Sequence, residues 1–311
     1  MRLEEIPDPT PAGDEILIRM EAVGINFIEV YQRKGLYPMK LPYTPGREGA
    51  GTVVAVGADV TAIRVGDRVA SEQLMGAYAE LALAKADRVV TLPGGVKSDV
   101  GAAVMLQGLT AHYLTHSTYP LKAGDRCLIH AAAGGVGLLF CQVAKRRGAW
   151  IIGTTSTEEK AALATRAGAD EIILYTRQDF VAEVRRLTGG KGLPVVYDSV
   201  GKTTFDGSLD CLAPRGMMVL FGQSSGPVPP FDPQILNRKG SLFLTRPNLS
   251  HHLLTPDELS ARAADVLGWV ADGSLDVHIG RRFPLAQAAE AHRALEGRGT
   301  VGKVLLDVHS G

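Results

Sequence analysis

The sequence has few cysteines and no excess of charge of either sign. Cys127, Cys141 and Cys211 are the three cysteines among 311 residues, and they form no CxxC pair. Scattered cysteines in an odd number provide neither a disulfide framework nor a four-cysteine zinc site. Thirty-three Lys and Arg residues balance 33 Asp and Glu residues. Dedicated nucleic-acid binding, which needs a basic surface, is therefore disfavoured.

Long apolar runs and targeting signals are also missing. No stretch of about 18 uncharged apolar residues occurs, and residues 1–7 lack the apolar core of a signal peptide. We therefore expect a cytoplasmic protein without a membrane span. With 45% hydrophobic and 21% charged residues, the composition is that of an ordinary globular protein, and the length favours two domains.

Glycine is abundant, with 36 residues beside 17 prolines, and it punctuates the first third of the chain. Short β-branched segments occur between Glu15 and about Pro93, at residues 16–21, 51–56 and 67–70. Short strands at close spacing, separated by Gly and Pro, predict a compact, mostly antiparallel, barrel-like unit.

After residue 98 the pattern changes to alternating helices and strands. Six segments have the character of buried strands: residues 127–131, 150–154, 172–174, 194–198, 217–221 and 241–244. Helical segments between them imply right-handed βαβ crossovers and a doubly wound parallel sheet. The predicted fold class is α/β. We assign residues 1–106 and 275–311 to the β-rich domain and residues 107–274 to the nucleotide-binding domain.

A glycine-rich turn follows the first strand of this alternation. The residues that form it, after Ala131 and Ala132, are Gly134, Gly135, Val136 and Gly137. The spacing fits A-x-G-x-x-G, with Ala132 in the place of the usual first glycine. Gly134 lets the backbone approach a pyrophosphate, and Gly137 lets the helix pack on the strand. A plain strand-to-helix turn is the alternative, and the six-strand context favours a dinucleotide.

The choice between NAD and NADP depends on the end of the second strand. An acidic residue about 20 positions after the glycines would favour NAD. This chain has Gly153–Thr157 there, followed by Lys160 and later by Tyr175. Hydroxyls and a cation suit a 2′-phosphate, so we expect NADPH. In the alternative, Ser156 or Thr157 only caps the next helix and Lys160 is solvated.

Six segments carry a resemblance to a known family: residues 24–31, 45–51, 107–111, 130–137, 197–201 and 221–226. They resemble the zinc-independent medium-chain dehydrogenases/reductases, specifically NADPH:quinone oxidoreductases of the zeta-crystallin type. The resemblance implies a GroES-like catalytic domain, a Rossmann domain, a cleft between them and a homodimer. Relatives usually carry about one more strand before residues 3–7, so either the catalytic domain manages without it, which would leave an exposed sheet edge, or the true start lies upstream.

Two departures from the wider superfamily exclude a catalytic zinc. Zinc-dependent relatives place a cysteine at Asn26 and a histidine at Arg47. Without these ligands we expect no zinc and no oxidation through a zinc alkoxide. Arg47 could instead pair with Glu48 or another carboxylate.

The resemblance also implies the roles of the site residues. Asn26 and Tyr31 would face the nicotinamide and the substrate, and Thr110 would bond the carboxamide. The 2′-phosphate would be surrounded by Ser156, Lys160, Tyr175 and Arg298. Phe221, Gly222, Gln223 and Ser224 would line the cofactor. Tyr31 could alternatively be a packed aromatic residue, and His130 is expected to form a structural hydrogen bond.

The function expected first is NADPH-dependent reduction of quinones by hydride transfer. The nearest alternative is reduction of the carbon–carbon double bond of an enone or alkenal with the same cofactor. An alternative of another class is a structural or RNA-binding role like that of some crystallin relatives, which the neutral charge and the cofactor motif disfavour.

Overall fold

The computed structural model describes residues 1–297 and 299–308, which fold as two compact units. The first unit comprises Met1–Leu109 and the chain from Leu253 onward, and the second comprises Thr110–His252. The sequence-based division at 106/107 falls close to the first of these boundaries. The division expected at 274/275 falls well after the second boundary, which lies at 252/253. The helix Pro256–Ala271, expected in the nucleotide-binding domain, belongs to the first unit.

The strands in chain order are β1 (Glu15–Ile25), β2 (Glu48–Val56), β3 (Arg68–Ser71), β4 (Leu81–Lys85), β5 (Val90–Thr91), β6 (Arg126–Ile129), β7 (Trp150–Thr155), β8 (Glu171–Leu174), β9 (Leu193–Asp198), β10 (Leu212–Leu220), β11 (Phe243–Thr245), β12 (Ile279–Pro284) and β13 (Lys303–Asp307). The α-helices are α1 (Phe27–Arg33), α2 (Ser98–Tyr113), α3 (Gly135–Arg146), α4 (Glu158–Arg166), α5 (Phe180–Leu187), α6 (Phe205–Asp210), α7 (Gln234–Arg238), α8 (Pro256–Ala271) and α9 (Ala288–Glu296). No helix in the described ranges is both long and apolar enough to cross a membrane.

The sheet of the first unit is centred on β1. Its strand order is β12-β13-β1-β2-β3-β5, and β4 also pairs with β1. All of these pairings are antiparallel except β12 with β13. Ile16, Ile18 and Met20 alternate along β1 and are buried, as expected when one face of a strand lies against a core. This sheet confirms the predicted β-rich unit.

Helix α8 belongs to the first unit. Arg88 holds the segment that precedes this helix: its Nη1 donates to the carbonyl oxygen of Leu253 at 2.8 Å. Val266 of α8 lies against Gly108, where an added Cβ would be 2.8 Å from Val266 Cγ1. The helix therefore packs beside α2 within the first unit.

The second unit contains a parallel sheet in the order β11-β10-β9-β6-β7-β8. This sheet confirms the predicted doubly wound nucleotide fold. Two strands begin two or more residues away from the expected start. Strand β10 begins at Leu212, before a register irregularity that ends at Met217. Strand β11 begins after Ser241, whose φ of 56° is left-handed and interrupts the extended backbone.

Candidate active site

The turn between β6 and α3 is closed by residues without bulky side chains. An added Cβ on Gly137 would lie 2.3 Å from the carbonyl oxygen of Ala131, so only glycine fits there. Ala132 is fully buried, and its Cβ would be 2.7 Å from a Cβ added to Gly153 of β7. Ala132 replaces the usual first glycine because Gly153 leaves room for its methyl group.

This turn fits the pyrophosphate of a dinucleotide. Gly134 is the N-cap of α3, in an extended conformation, and it has no side chain to accept from the first-turn N–H groups. Gly135 and Val136 follow it and are half-buried. The uncapped N–H groups and the positive end of the helix dipole therefore suit an anion.

His130 joins the ends of three strands behind the turn. Its Nδ1 lies 3.0 Å from Thr154 Oγ1, and its Nε2 lies 3.0 Å from Ser208 Oγ. The Ser208 hydroxyl donates to Asp198 Oδ2 at 2.8 Å, so His130 Nε2 donates to Ser208 and Nδ1 accepts from Thr154. Burial lowers the pKa of His130, which keeps the ring neutral. The predicted structural role of His130 is confirmed.

The segment after β10 is held against the segment after β9. The backbone N–H of Phe221 donates to the Asp198 carbonyl oxygen at 2.8 Å, and that of Ser224 donates to Ser199 at 3.1 Å. An added Cβ on Gly222 would lie 2.6 Å from the Ser199 carbonyl oxygen. Phe221, Gly222 and Ser224 thus form one loop at the carboxyl end of the sheet, where doubly wound folds bind ligands.

The helix-capping alternative after β7 is resolved by Thr157. Its Oγ1 accepts from the backbone N–H of Lys160 at 3.3 Å, as the N-cap of α4. Ser156 is not the cap and is half-buried.

Ser156 and Tyr175 lie on adjacent loops at the carboxyl ends of β7 and β8. The backbone N–H of Tyr175 donates to the carbonyl oxygen of Thr155 at 3.1 Å, and Thr176 Oγ1 donates to that of Ser156 at 3.0 Å. Thr155 Oγ1 is buried without a hydrogen-bond partner among the described residues. This orphaned hydroxyl is consistent with a polar ligand at the edge of the sheet.

Three further residues were predicted to bind the cofactor: Lys160, Arg298 and Thr110. Lys160, in the first turn of α4, is half-buried, and this partial burial lowers its pKa. Arg298 lies outside the described residues. Thr110, the predicted carboxamide partner, is buried in α2.

In the first unit, α1 carries Tyr31. Asn26 is the N-cap of this helix, and Glu29 Oε2 accepts from the backbone N–H of Asn26 at 2.8 Å. The Tyr31 ring is half-buried, with its centroid 5.6 Å from that of Tyr37 in an edge-to-face arrangement. Aromatic packing is therefore present at Tyr31, and its catalytic role stays a prediction.

Asn26 lies in a buried group with Glu48 and Lys303. The Lys303 ammonium donates to Asn26 Oδ1 at 2.8 Å and forms a short ion pair with Glu48 Oε2. Asn26 Nδ2 donates to the same Glu48 oxygen at 2.8 Å. Glu48 therefore pairs with Lys303 and not with Arg47. Lys303 was not among the residues predicted from the sequence, where its signal is a lysine at the start of the apolar segment 303–306.

Two other buried groups of the first unit have displaced pKa values. Burial raises the pKa of Glu29 to about 7. Burial lowers the pKa of His292 to about 4, and its Nε2 lies 2.9 Å from Tyr78 Oη. Each shift favours the neutral form of the group.

No group of three or more His, Cys, Asp or Glu residues in the described part of the chain could hold a metal ion. The absence of zinc from the protein stays a prediction, based on Asn26 and Arg47 standing where zinc ligands would be.

Two family models match the two units. The alcohol dehydrogenase GroES-like domain matches residues 12–94, and the zinc-binding dehydrogenase model matches residues 135–254. The second description names a zinc-binding family, although this chain lacks the two ligand residues discussed above.

Individual relatives match nearly the whole chain. A quinone oxidoreductase of Pseudomonas aeruginosa is 49% identical, with 95% of this chain and 92% of the relative covered. A 2-haloacrylate reductase of Burkholderia is 41% identical, with 97% and 93% covered. The crystal structure of Escherichia coli quinone oxidoreductase complexed with NADPH has a TM-score of 0.97 and 44% identity, with 98% of this chain and 95% of that chain covered. The chain therefore belongs to the quinone oxidoreductases of the medium-chain dehydrogenase/reductase family.

Proposed function

We propose that this protein reduces quinones by transferring a hydride from NADPH. The observation that carries the proposal is the turn between β6 and α3, where Gly134 and Gly137 leave the helix N-terminus open to a pyrophosphate. The 49% identical relative named quinone oxidoreductase and the NADPH complex of the E. coli enzyme support it.

The residues of the second unit bind and orient the cofactor. When bound, reduced nicotinamide supplies the hydride. The N–H groups of residues 134–137 bind the pyrophosphate, and Thr110 bonds the carboxamide. Ser156, Lys160, Tyr175 and Arg298 bind the 2′-phosphate, and the loop of Phe221, Gly222 and Ser224 lines the cofactor. A loop held by backbone hydrogen bonds provides this orientation at low entropic cost.

The residues of the first unit orient the acceptor. Tyr31 donates a hydrogen bond from its hydroxyl to an oxygen of the acceptor, and Asn26 holds the start of its helix. A hydrogen bond to an oxygen that gains negative charge during hydride transfer stabilises the transition state more than the ground state.

Reduction of activated carbon–carbon double bonds is a second candidate. The 41% identical 2-haloacrylate reductase favours it. Arg47 adds a physical reason: its side chain is half-buried, and its guanidinium interacts electrostatically with the buried Glu72 carboxylate without a hydrogen bond or ion pair to any residue the structure describes. A guanidinium in this state suits the carboxylate of an acrylate. The relatives give no support to a structural or RNA-binding role.

A panel of acceptors with each cofactor tests the proposal. We expect NADPH oxidation by 1,4-benzoquinone and 1,4-naphthoquinone to be faster than by 2-chloroacrylate or an enone, and faster than with NADH. Turnover of 2-chloroacrylate alone would favour the second candidate. Oxidation of alcohols, or zinc at about one atom per chain by elemental analysis, would contradict the proposed chemistry.

The proposal includes a cytoplasmic homodimer joined through the parallel sheets. Strand β11 supports the dimer, because it lies at a sheet edge and Phe243 is 58% exposed. Cys127, Cys141 and Cys211 are buried and free, which is consistent with a reducing compartment.

A further inference from the structure

A buried lysine, glutamate and asparagine meet where β1 ends, β2 begins and β13 begins. Lys303, Glu48 and Asn26 are 1%, 0% and 5% exposed. Charged side chains are seldom buried so completely, because removing them from water costs more than an ion pair commonly returns. The arrangement therefore needs a reason other than stability.

The side-chain amide of Asn26 is engaged at both ends. Its Oδ1 accepts from Lys303 Nζ at 2.8 Å and from Gln107 Nε2 at 3.4 Å. Its Nδ2 donates to Glu48 Oε2 at 2.8 Å and to the carbonyl oxygen of Gly24 at 3.4 Å. These contacts use both lone pairs and both hydrogens, so the orientation of the amide is determined by its neighbours.

Glu48 extends the same group to another helix. Its Oε1 accepts from the backbone N–H of Leu106 in α2 at 2.7 Å. Gly24 makes room for the carboxylate, since an added Cβ would lie 2.4 Å from Glu48 Oε2. One carboxylate thus joins β1, β2, α2 and, through Lys303, β13.

This group lies directly at the start of α1. Asn26 is the N-cap of α1, and Tyr31 follows on the same short helix. A seven-residue helix has little stability of its own, so its direction depends on how its first turn is held. The backbone N–H of Asn26 donates to Glu29 of this first turn, so we expect a displacement of Asn26 to change the direction of α1 and, with it, the position of Tyr31.

We propose that Lys303 and Glu48 are positioning residues for hydride transfer, which hold Tyr31 in place through Asn26 and α1. The Lys303 ammonium supplies a fixed positive charge beside Asn26, where zinc-dependent relatives have a metal ligand. This inference rests on the proposed reduction of quinones.

The decisive variant is Lys303→Met/Glu48→Gln, which removes both charges of the buried ion pair together. Glu48→Gln alone is the second variant, and Lys85→Met, which removes an exposed ion pair with Asp14 in the same unit, is the matched control. For each protein we would measure kcat and KM with 1,4-benzoquinone, the NADPH Kd, the isotope effect with 4-deuterated NADPH, and the melting temperature. Hydrogen–deuterium exchange of residues 27–33 gives a readout that needs no turnover.

In the double variant we expect kcat to fall about ten- to a hundredfold and the isotope effect to rise, because misplacement slows the chemical step. The NADPH Kd should change less than about twofold, exchange in residues 27–33 should accelerate, and the melting temperature should stay near that of the wild type. Lys85→Met should match the wild type in every measurement. Adding Asn26→Ala to the double variant should cause little further loss, because the three residues act together.

A double variant with wild-type kcat, isotope effect and exchange would overturn the inference. If the double variant does not fold, unchanged exchange of residues 27–33 in Glu48→Gln would overturn it. Equal losses of kcat and NADPH affinity would also overturn it, since they would indicate a general structural role. A wild-type protein inactive with every quinone would contradict the proposed function instead, and the exchange measurement would still test the positioning of α1.

Discussion

At the scale of single residues, burial decides which protonation state of Glu29 and of His292 is favoured. Glu29 and His292 lie in the same unit, and desolvation favours the neutral form of each. Their effects on stability have opposite signs with pH. Stability falls with rising pH when a carboxyl has a raised pKa in the folded state, and it rises with pH when a histidine has a lowered one. The two contributions oppose each other between about pH 4.5 and 6.5.

Glu29→Gln should separate these contributions. The wild-type protein loses the Glu29 contribution as pH rises from the unfolded value near 4.5 to the folded value of about 7. Glutamine can still accept from the Asn26 N–H and has no charge to bury. The variant should therefore gain stability relative to the wild type over this range, by up to about 3 kcal/mol. Urea unfolding of both proteins at several pH values measures the difference, and a difference independent of pH would contradict the raised pKa.

A second prediction at this scale concerns the cofactor. Lys160→Ala should raise KM for NADPH by about five- to a hundredfold and leave kcat nearly unchanged, because contact with a remote phosphate is equal in ground and transition states. Kinetics with NADH should barely change. Lys191→Ala is the control, since Lys191 is exposed and precedes the amino end of β9. Equal losses with both cofactors would show that Lys160 supports the fold instead.

At the scale of elements, the β6-to-α3 turn is the most constrained part of the second unit. Gly137→Ala should disrupt it, because the added methyl group would lie 2.3 Å from the Ala131 carbonyl oxygen and 2.6 Å from that of Ala132. Ala131 already has a left-handed φ of 55°, which leaves its backbone little freedom to yield.

We expect Gly137→Ala to lower the free energy of unfolding by about 2 kcal/mol or more, together with NADPH affinity. Gly134→Ala is the matched comparison, because its added Cβ would lie 3.1 Å from the nearest atom, Ala131 O. That variant should lose NADPH affinity with a smaller change in melting temperature. Thermal unfolding and a fluorescence titration with NADPH distinguish the two, and a fully stable Gly137→Ala protein would contradict the packing argument.

At the scale of the whole molecule, the exposed edge of β11 predicts assembly. Phe243→Lys should convert a dimer into a monomer. The lysine charge opposes strand pairing at the edge, and the substitution removes an exposed aromatic ring that the dimer would bury. Val65→Lys is the control, since Val65 is similarly exposed and lies outside β11. Light scattering after size exclusion at micromolar concentration measures the mass. A wild-type protein that is monomeric there would contradict the predicted homodimer.

Patterns of neighbouring residues made much of this protein predictable from sequence. The alternation of strands and helices, the glycine turn at residues 134–137 and the missing zinc ligands at Asn26 and Arg47 are all local features. Local spacing determines the first two because a strand, a turn or a helix N-terminus forms from consecutive residues, whereas the expectation about zinc came from the resemblance to zinc-dependent relatives. The sequence also left open whether Ser156 or Thr157 caps the helix after β7, and the structure assigns the cap to Thr157.

Only the tertiary structure identified the partner of Glu48 and the location of α8. Lys303 lies 277 positions from Asn26 and 255 from Glu48, and it reaches them because β13 pairs with β1, which pairs with β2. An amphipathic helix such as α8 shows which face is apolar but not which sheet or helix it will cover. Both features depend on contacts between segments far apart in the chain: strand pairing brings Lys303 to Glu48, and packing against Gly108 of α2 places α8.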